Sequence, residues 1–538
     1  MDISELPTDD DIIQYLLDVT MEVRNHVGAT HVRRSSIKKE LLRVLNFARN
    51  LQVKITDFLT LDLFDDTVPI GSLFNGDGQI DWLDFLQTVF RDSGVRLTPE
   101  HEVYTGGSSH IKRILQLFED SDSRLLANYI VGRLVMHLAP ETTERMRGFL
   151  MRFYRKMQLI PDDYPSWMYC INKVRDYPNT GLVAAVAHEY EKNHFHAHYM
   201  SRVTQLVKDL RRSTRELLDE NNWVDEETKR LVAEKLEGMT VLAGFPKWVS
   251  NVSSLDRFYD KLIIHKDDHL GNVARMRAFL QASNLAILGN KNYPNLKWNY
   301  SPFLINAFYD WSNNSVTLPA GIMQHPFYTG QDNIPLPTGR KKGGKRVGRQ
   351  KYKTKSSQRA RKRRSPQSIL LALDYSRFGA VVGHEITHAF DEDGYLYDKS
   401  GHMGNGWSSS MSVLFVKNGR CFVKQYDREQ QLLSDTLNED IADNGGLRKA
   451  YRAFKMAWSR VGGTNATLPD LTSFTPEQLF FLGYATLWCH AGEDFSSDGH
   501  SPPRDRVVKP LSNMKEFSDA WGCTADSPMN PRDKCVLW

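Results

Sequence analysis

At 538 residues the chain is long enough for more than one core, and its 41% hydrophobic and 25% charged residues are those of an ordinary globular protein. No apolar run approaches the ~20 residues needed to span a bilayer, and the acidic start Met1-Asp2-Ile3-Ser4-Glu5 lacks the basic and apolar regions of a signal peptide. The formal net charge of +4 hides an asymmetry: residues 340–364 hold fourteen Lys/Arg and no Asp/Glu, leaving the rest at −10, which argues against a nucleic-acid-binding surface spread over the chain.

To about residue 240 the pattern is helical. Thr8 and an acidic first turn precede Ile12, Ile13, Leu16, Leu17 and Val23, a helix start. Ser35 and Ser36 open a second apolar-periodic segment through Leu41, Leu42, Val44 and Leu45. Asn75 to Asp84 imitates a calcium loop, but Leu73 stands where the first ligand belongs and Asp84 replaces the bidentate Glu. A turn leading into a helix at Trp82-Leu83-Phe85 is the better reading. Leu125, Leu126, Tyr129, Ile130, Leu134 and Val135 form another helical face.

Near 290–330 the texture changes. Asn306-Ala307-Phe308-Tyr309 and Ser315-Val316-Thr317-Leu318-Pro319 read as short strands around a polar turn. The basic stretch follows, within residues 332–366, and cannot bury a core of its own.

Helical spacing returns at Ile369. Phe378, Val382, Ile386 and Ala389 line one face, leaving Val381, His384, Glu385 and His388 for another. In His384-Glu385-Ile386-Thr387-His388, two imidazoles one turn apart can grip one metal ion while the glutamate points at the water it activates. A catalytic zinc needs a third protein ligand. Glu439 and Asp443 are i and i+4 in a second helix running to Trp458, so one can bind the metal and the other can orient a ligand histidine. Taken alone, that stretch also reads as an acidic helix start favoured by the dipole.

With Ala389-Phe390-Asp391 after the histidines and Ile441-Ala442-Asp443-Asn444-Gly445-Gly446 beyond, the chain resembles the neprilysin and endothelin-converting-enzyme family of zinc metalloendopeptidases. Further matches are Asn306-Ala307-Phe308-Tyr309, Pro319-Ala320-Gly321-Ile322, Asp225 to Lys229, His500-Ser501-Pro502 and Cys535-Val536-Leu537-Trp538. The resemblance implies that His384, His388 and Glu439 hold one zinc ion per chain, that Glu385 is the general base, and that Asp443 orients His384. By the same resemblance His500 donates to the developing oxyanion and Arg506 holds a substrate carbonyl. Asn306 and the Ala307 backbone pin the peptide, while Ile322, Phe327, Val381 and Trp488 form an apolar pocket just after the scissile bond. The resemblance also implies that Cys421 and Cys535 pair.

It further implies a mainly helical, two-lobed architecture. Residues 1–285 would form a helical lid that admits short peptides, and 286–538 a thermolysin-like catalytic lobe with a small sheet. The expected activity is hydrolysis of short extracellular peptides on the amino side of hydrophobic residues, by Glu-assisted attack of a metal-activated water. The expected location is extracellular or a plasma-membrane ectodomain, which sequons at Asn251, Asn299, Asn313 and Asn465 fit.

Three departures stand against that pattern. Cys170, Cys489 and Cys523 lack the N-terminal partners the family supplies, and the family's membrane anchor and first ectodomain segment are absent. An N-terminal segment is therefore expected to be missing, through truncation, an incomplete gene model or divergence, the alternative being a cytosolic chain with five reduced thiols. The 332–366 insertion is additional; its 340–364 tract suits acidic glycans, and Arg361-Lys362-Arg363-Arg364 resembles a convertase site. The stretch from Cys421 to Glu439 is compressed, with Asn438 where relatives carry Gly. The alternative is a catalytically impaired relative that works by binding acidic partners through its basic tract.

Overall fold

The computed structural model describes residues 8–59, 67–73, 80–104, 108–157, 159–175, 181–195, 197–289, 298–330, 367–404, 406–426, 436–463, 468, 470–490 and 499–538. The basic tract, the calcium-like loop at 74–79, Asn465 and most of the compressed stretch before Glu439 lie outside them.

The chain is mainly helical and divides into two compact units, 1–186 with 251–301 and 187–250 with 302–538. This differs from the expected boundary after residue 285. Residues 187–250 belong with the histidine helix because helix Ala197–Glu220 packs on helix Leu437–Arg460, a long-range contact that local periodicity does not encode.

In the first unit the helix starts follow local chemistry. Thr8 caps Asp9–His26 reciprocally with Asp11, a capping box. Asp81 caps Trp82–Val89 and Asp122 caps Ser123–Leu138. Tyr15, Val19, Ala139 and Met146 form a small core, and the unit also holds a two-stranded antiparallel ribbon of β1 (Thr67–Pro69) and β2 (Glu102–Tyr104).

The second unit holds the larger core, with Phe378, Phe415, Phe422, Phe454, Phe480 and Phe481 almost fully buried. Its sheet runs β3 (Thr240–Gly244), β5 (Ser315–Pro319), β4 (Phe308–Asp310). β3 pairs parallel with β5, and β4 pairs antiparallel with β5 and forms an edge. The two strands expected from sequence are present; β3, within and just past the stretch read as helical, is an addition. The C-terminus is docked inside: Trp538 Nε1 donates to Phe390 O at 2.7 Å, and Asn221 and Trp223 donate to Leu537 O. Cys421 and Cys535 form a disulfide with Cα atoms 5.6 Å apart.

Candidate active site

The histidines sit on helix Phe378–His388, whose Phe378, Val382 and Ile386 are fully buried, as their spacing predicts. The helical stretch is broken at Arg377, so this segment is distinct from Gln367–Ser376. It crosses helix Leu437–Arg460 at a close approach that only glycine allows. A Cβ on Gly383 would lie 2.7 Å from Gly446 O, and a Cβ on Gly446 would lie 2.6 Å from His384 N. The two glycines therefore set how near Glu439 comes to the histidines.

His384 Nε2 lies 3.0 Å from both Glu439 Oε2 and His388 Nε2, and His388 Nε2 lies 3.6 Å from Glu439 Oε2. Tetrahedral zinc with bonds near 2.0–2.1 Å separates its donors by roughly 3.3 Å, so this trio fits the ion. Each histidine presents its other nitrogen to a carboxylate: His384 Nδ1 meets Asp443 Oδ1 at 2.9 Å and His388 Nδ1 meets Asp391 Oδ2 at 2.6 Å. Those acceptors place the Nδ1 proton and leave each neutral ring's Nε2 lone pair facing the trio's centre. Glu439 Oε2 is buried and accepts no hydrogen bond among the described residues, an arrangement a cation resolves. His500 Nε2 lies 3.0 Å from the same oxygen, which adds a further nitrogen to the cluster.

The surrounding charges reinforce this geometry. Burial opposes the imidazolium of His384, yet Asp443 and Glu439 outweigh it and hold its pKa above the ordinary value. Burial likewise opposes charge on His388, and Asp391 with Glu439 raises it well above. A dication would reverse both by competing for the same lone pairs. Burial would raise Asp443, but Arg506 donates from Nε at 2.7 Å and Nη2 at 2.8 Å and holds the carboxyl at about 2. Glu385 is 5% exposed, and burial pushes its carboxyl up despite the nearby imidazoles.

A cavity of about 580 Å³ opens onto these groups. Asn306, Ala307, Ile322, Phe327, Val381 and Trp488 line it, together with Glu385, His500 and Arg506. Every residue singled out for metal, catalysis or substrate is thus brought to one place. Asn306 Oδ1 accepts the Ala307 amide at 2.9 Å, just before β4, the edge strand of this sheet among the described residues. Ser501 Oγ donates to Asp440 Oδ1 at 2.5 Å and pins the segment bearing His500. Arg506 lies with its guanidinium carbon 3.7 Å from the Trp488 ring centre, so it bridges Asp443 to the apolar pocket. Asn438, in the compressed stretch, accepts from Glu392 N and donates to Asp393, fastening the acidic helix to the turn after His388.

Sequence reasoning missed two supports. Asp391 carried a signal, being three residues after His388 on the same face. Lys449, 1% exposed, donates to Thr387 Oγ1 at 2.6 Å from beneath the histidine helix. Its only hint was a lysine on the face shared by Ala450, Ala453 and Ala457, each buried.

Models described as peptidase family M13 match residues 9–246 and 368–537. The chain is 31% identical over 474 residues to endothelin-converting enzyme 1 of Mus musculus, covering 85% of this chain and 55% of that protein. It is 30% identical over 483 residues to neprilysin-11 of Caenorhabditis elegans, covering 87% and 52%. It thus spans little more than half the length of these relatives. Among solved structures, zinc metalloprotease Zmp1 of Mycobacterium tuberculosis, in complex with an inhibitor, matches over 98% of this chain and 74% of its own, with TM-score 0.73 and 22% identity. PepO from Lactobacillus rhamnosis matches over 97% and 74%, with TM-score 0.68 and 21% identity. Both likenesses support the fold.

Proposed function

The chain belongs to peptidase family M13, and on that premise we propose that it is a zinc metalloendopeptidase cleaving short peptides on the amino side of hydrophobic residues. The observation that carries this reading is the convergence of His384, His388 and Glu439 donor atoms within 3.6 Å of one another, with Glu385 lining the same cavity. Zinc held there supplies Lewis acidity, lowering the pKa of water to about 7 and polarising a carbonyl. Glu385, its carboxyl raised by burial, takes the attacking water's proton and returns it to the leaving amine. Asp443 and Asp391 hold the two ligand rings through Nδ1, and Arg506 holds Asp443.

His500 donates from the cavity wall to the oxygen that gains charge as the carbonyl is attacked. The N–H groups of Arg506 not engaged by Asp443 bind a substrate carbonyl. The peptide adds alongside the edge strand β4, with Asn306 and the Ala307 backbone as partners, and its hydrophobic residue enters the pocket of Ile322, Phe327, Val381 and Trp488.

An extracellular setting fits the Cys421–Cys535 disulfide and exposed sequon asparagines at 251, 299 and 313. No described helix is long and apolar enough to cross a membrane. Contact of the 340–364 tract with acidic glycans belongs to the same proposal; retention on heparin that is lost on deleting the tract would support it. A purely binding relative has no need of an ordered ligand trio. Zinc content together with cleavage of a short peptide before a hydrophobic residue tests the reading. Stoichiometric zinc with no cleavage would favour the binding role.

A further inference from the structure

One aromatic side chain in the cavity wall is not explained by the chemistry above. Trp311 follows β4 directly, is 38% exposed, and lines the same cavity as Glu385 and the histidines. It is held firmly. Asp310 accepts from Ser312 Oγ at 2.7 Å and from Asn313 N at 3.2 Å, fixing the turn it begins. Its ring stacks on Tyr397, with centroids 6.3 Å apart and an interplanar angle of 11°. Gly401, at φ +80°, lets the segment after Tyr397 close on this turn, since a Cβ there would lie 1.9 Å from Ser312 O. A large apolar ring is thereby presented to the groove in a preset orientation, and none of its supports requires a tryptophan.

Position along the edge strand defines its role. In an antiparallel peptide whose residues after the scissile bond meet Asn306 and Ala307, each step upstream advances one residue along β4, about 3.4 Å. Trp311 then stands level with the substrate side chain three or four places before the scissile bond. We infer that Trp311 is a specificity-determining residue, selecting peptides with an aromatic or large aliphatic side chain at that upstream position. This rests on the peptidase reading and extends its substrate class from one hydrophobic residue to two, on opposite sides of the cleaved bond. The energetic basis is burial of both apolar faces against a ring whose ordering cost is already met by Tyr397 and the turn.

The test uses the full chain with zinc and a hexapeptide series varying only the third and fourth residues before the scissile bond (Gly, Leu, Phe, Glu). The readout is the ratio of kcat/KM between peptides within each variant, so overall loss of activity cancels. For the wild type, Phe or Leu over Gly is expected by about three- to tenfold, a range set by aromatic pair energies. Trp311→Ala should bring that ratio near unity, and Trp311→Arg should shift preference towards Glu. An unchanged Phe-to-Gly ratio in both variants overturns the inference while leaving the peptidase reading intact. Absence of cleavage of every peptide by zinc-loaded wild type overturns both.

Discussion

Gly383 and Gly446 meet where the helices Phe378–His388 and Leu437–Arg460 cross: a Cβ on Gly383 would lie 2.7 Å from Gly446 O, and a Cβ on Gly446 would lie 2.6 Å from His384 N. The crossing carries Glu439 to the histidines, so ligand geometry depends on two absent methyl groups. Gly446→Ala is expected to cost about 3 kcal/mol or more, as overpacking against backbone does, and to weaken zinc retention. Thermal melts and zinc content after dialysis measure both; a stable variant with full zinc would show that the crossing can give.

Asp391 and Asp443 each face the Nδ1 of a histidine, and on the proposed reading they would act on the metal through those rings. Asp391→Asn and Asp443→Asn should each lower zinc affinity about 10- to 100-fold. Asp443→Asn should do more, because it also releases Arg506 from its paired carboxylate. Competition with a chelator of known affinity gives the numbers. Equal affinity in either variant would mean that ring orientation is set by packing alone.

Lys449 is buried beneath the histidine helix, with no carboxylate within ion-pair distance among the described residues. Burial, with a smaller contribution from Arg448, lowers its pKa to about 7. The unfolded chain keeps the proton to about 10.4, so between these values the unfolded state binds more protons and this group's contribution to stability rises with pH. The penalty is largest below pH 7. Lys449→Met should therefore gain most at and below neutrality, the gain shrinking by up to about 1.4 kcal/mol per pH unit above it. Denaturation midpoints from pH 6 to 10 test this; a constant difference would contradict it.

The Cys421–Cys535 bridge closes a loop spanning 114 positions and ties helix Ser409–Gln425 to the docked C-terminus. Its loss, by Cys421→Ser with Cys535→Ser, should cost about 2–5 kcal/mol. Loosening of the tail should follow, seen as altered Trp538 fluorescence and faster exchange of the Phe390 region. Unchanged stability would show that packing of Trp538 suffices.

What was legible in the sequence was local. Thr8 and the spacing of Phe378, Val382 and Ile386 announce a helix start and a buried face, because caps and periodicity act within a few residues. The metal motif was legible for the same reason, being one helical turn. The roles of Glu439, His500 and Arg506 needed family resemblance, since nothing local ties residues 439–506 to residue 384. β3 escaped because its partner β5 lies 75 residues on, and five residues after a helix carry no alternation of their own. Residues 187–250 fall in the other compact unit from the one expected, because a helix's own sequence does not state which unit buries it.

The central claim is that Glu385 works on water beside a metal held by His384, His388 and Glu439. Its most direct measurement is zinc content and peptide cleavage on the same preparations of wild type and Glu385→Gln. The expected result is about one zinc per chain in both, with cleavage by the variant reduced at least ~10²-fold, the scale of general acid–base catalysis. Zinc-loaded Glu385→Gln cleaving the peptide at the wild-type rate would contradict the mechanism.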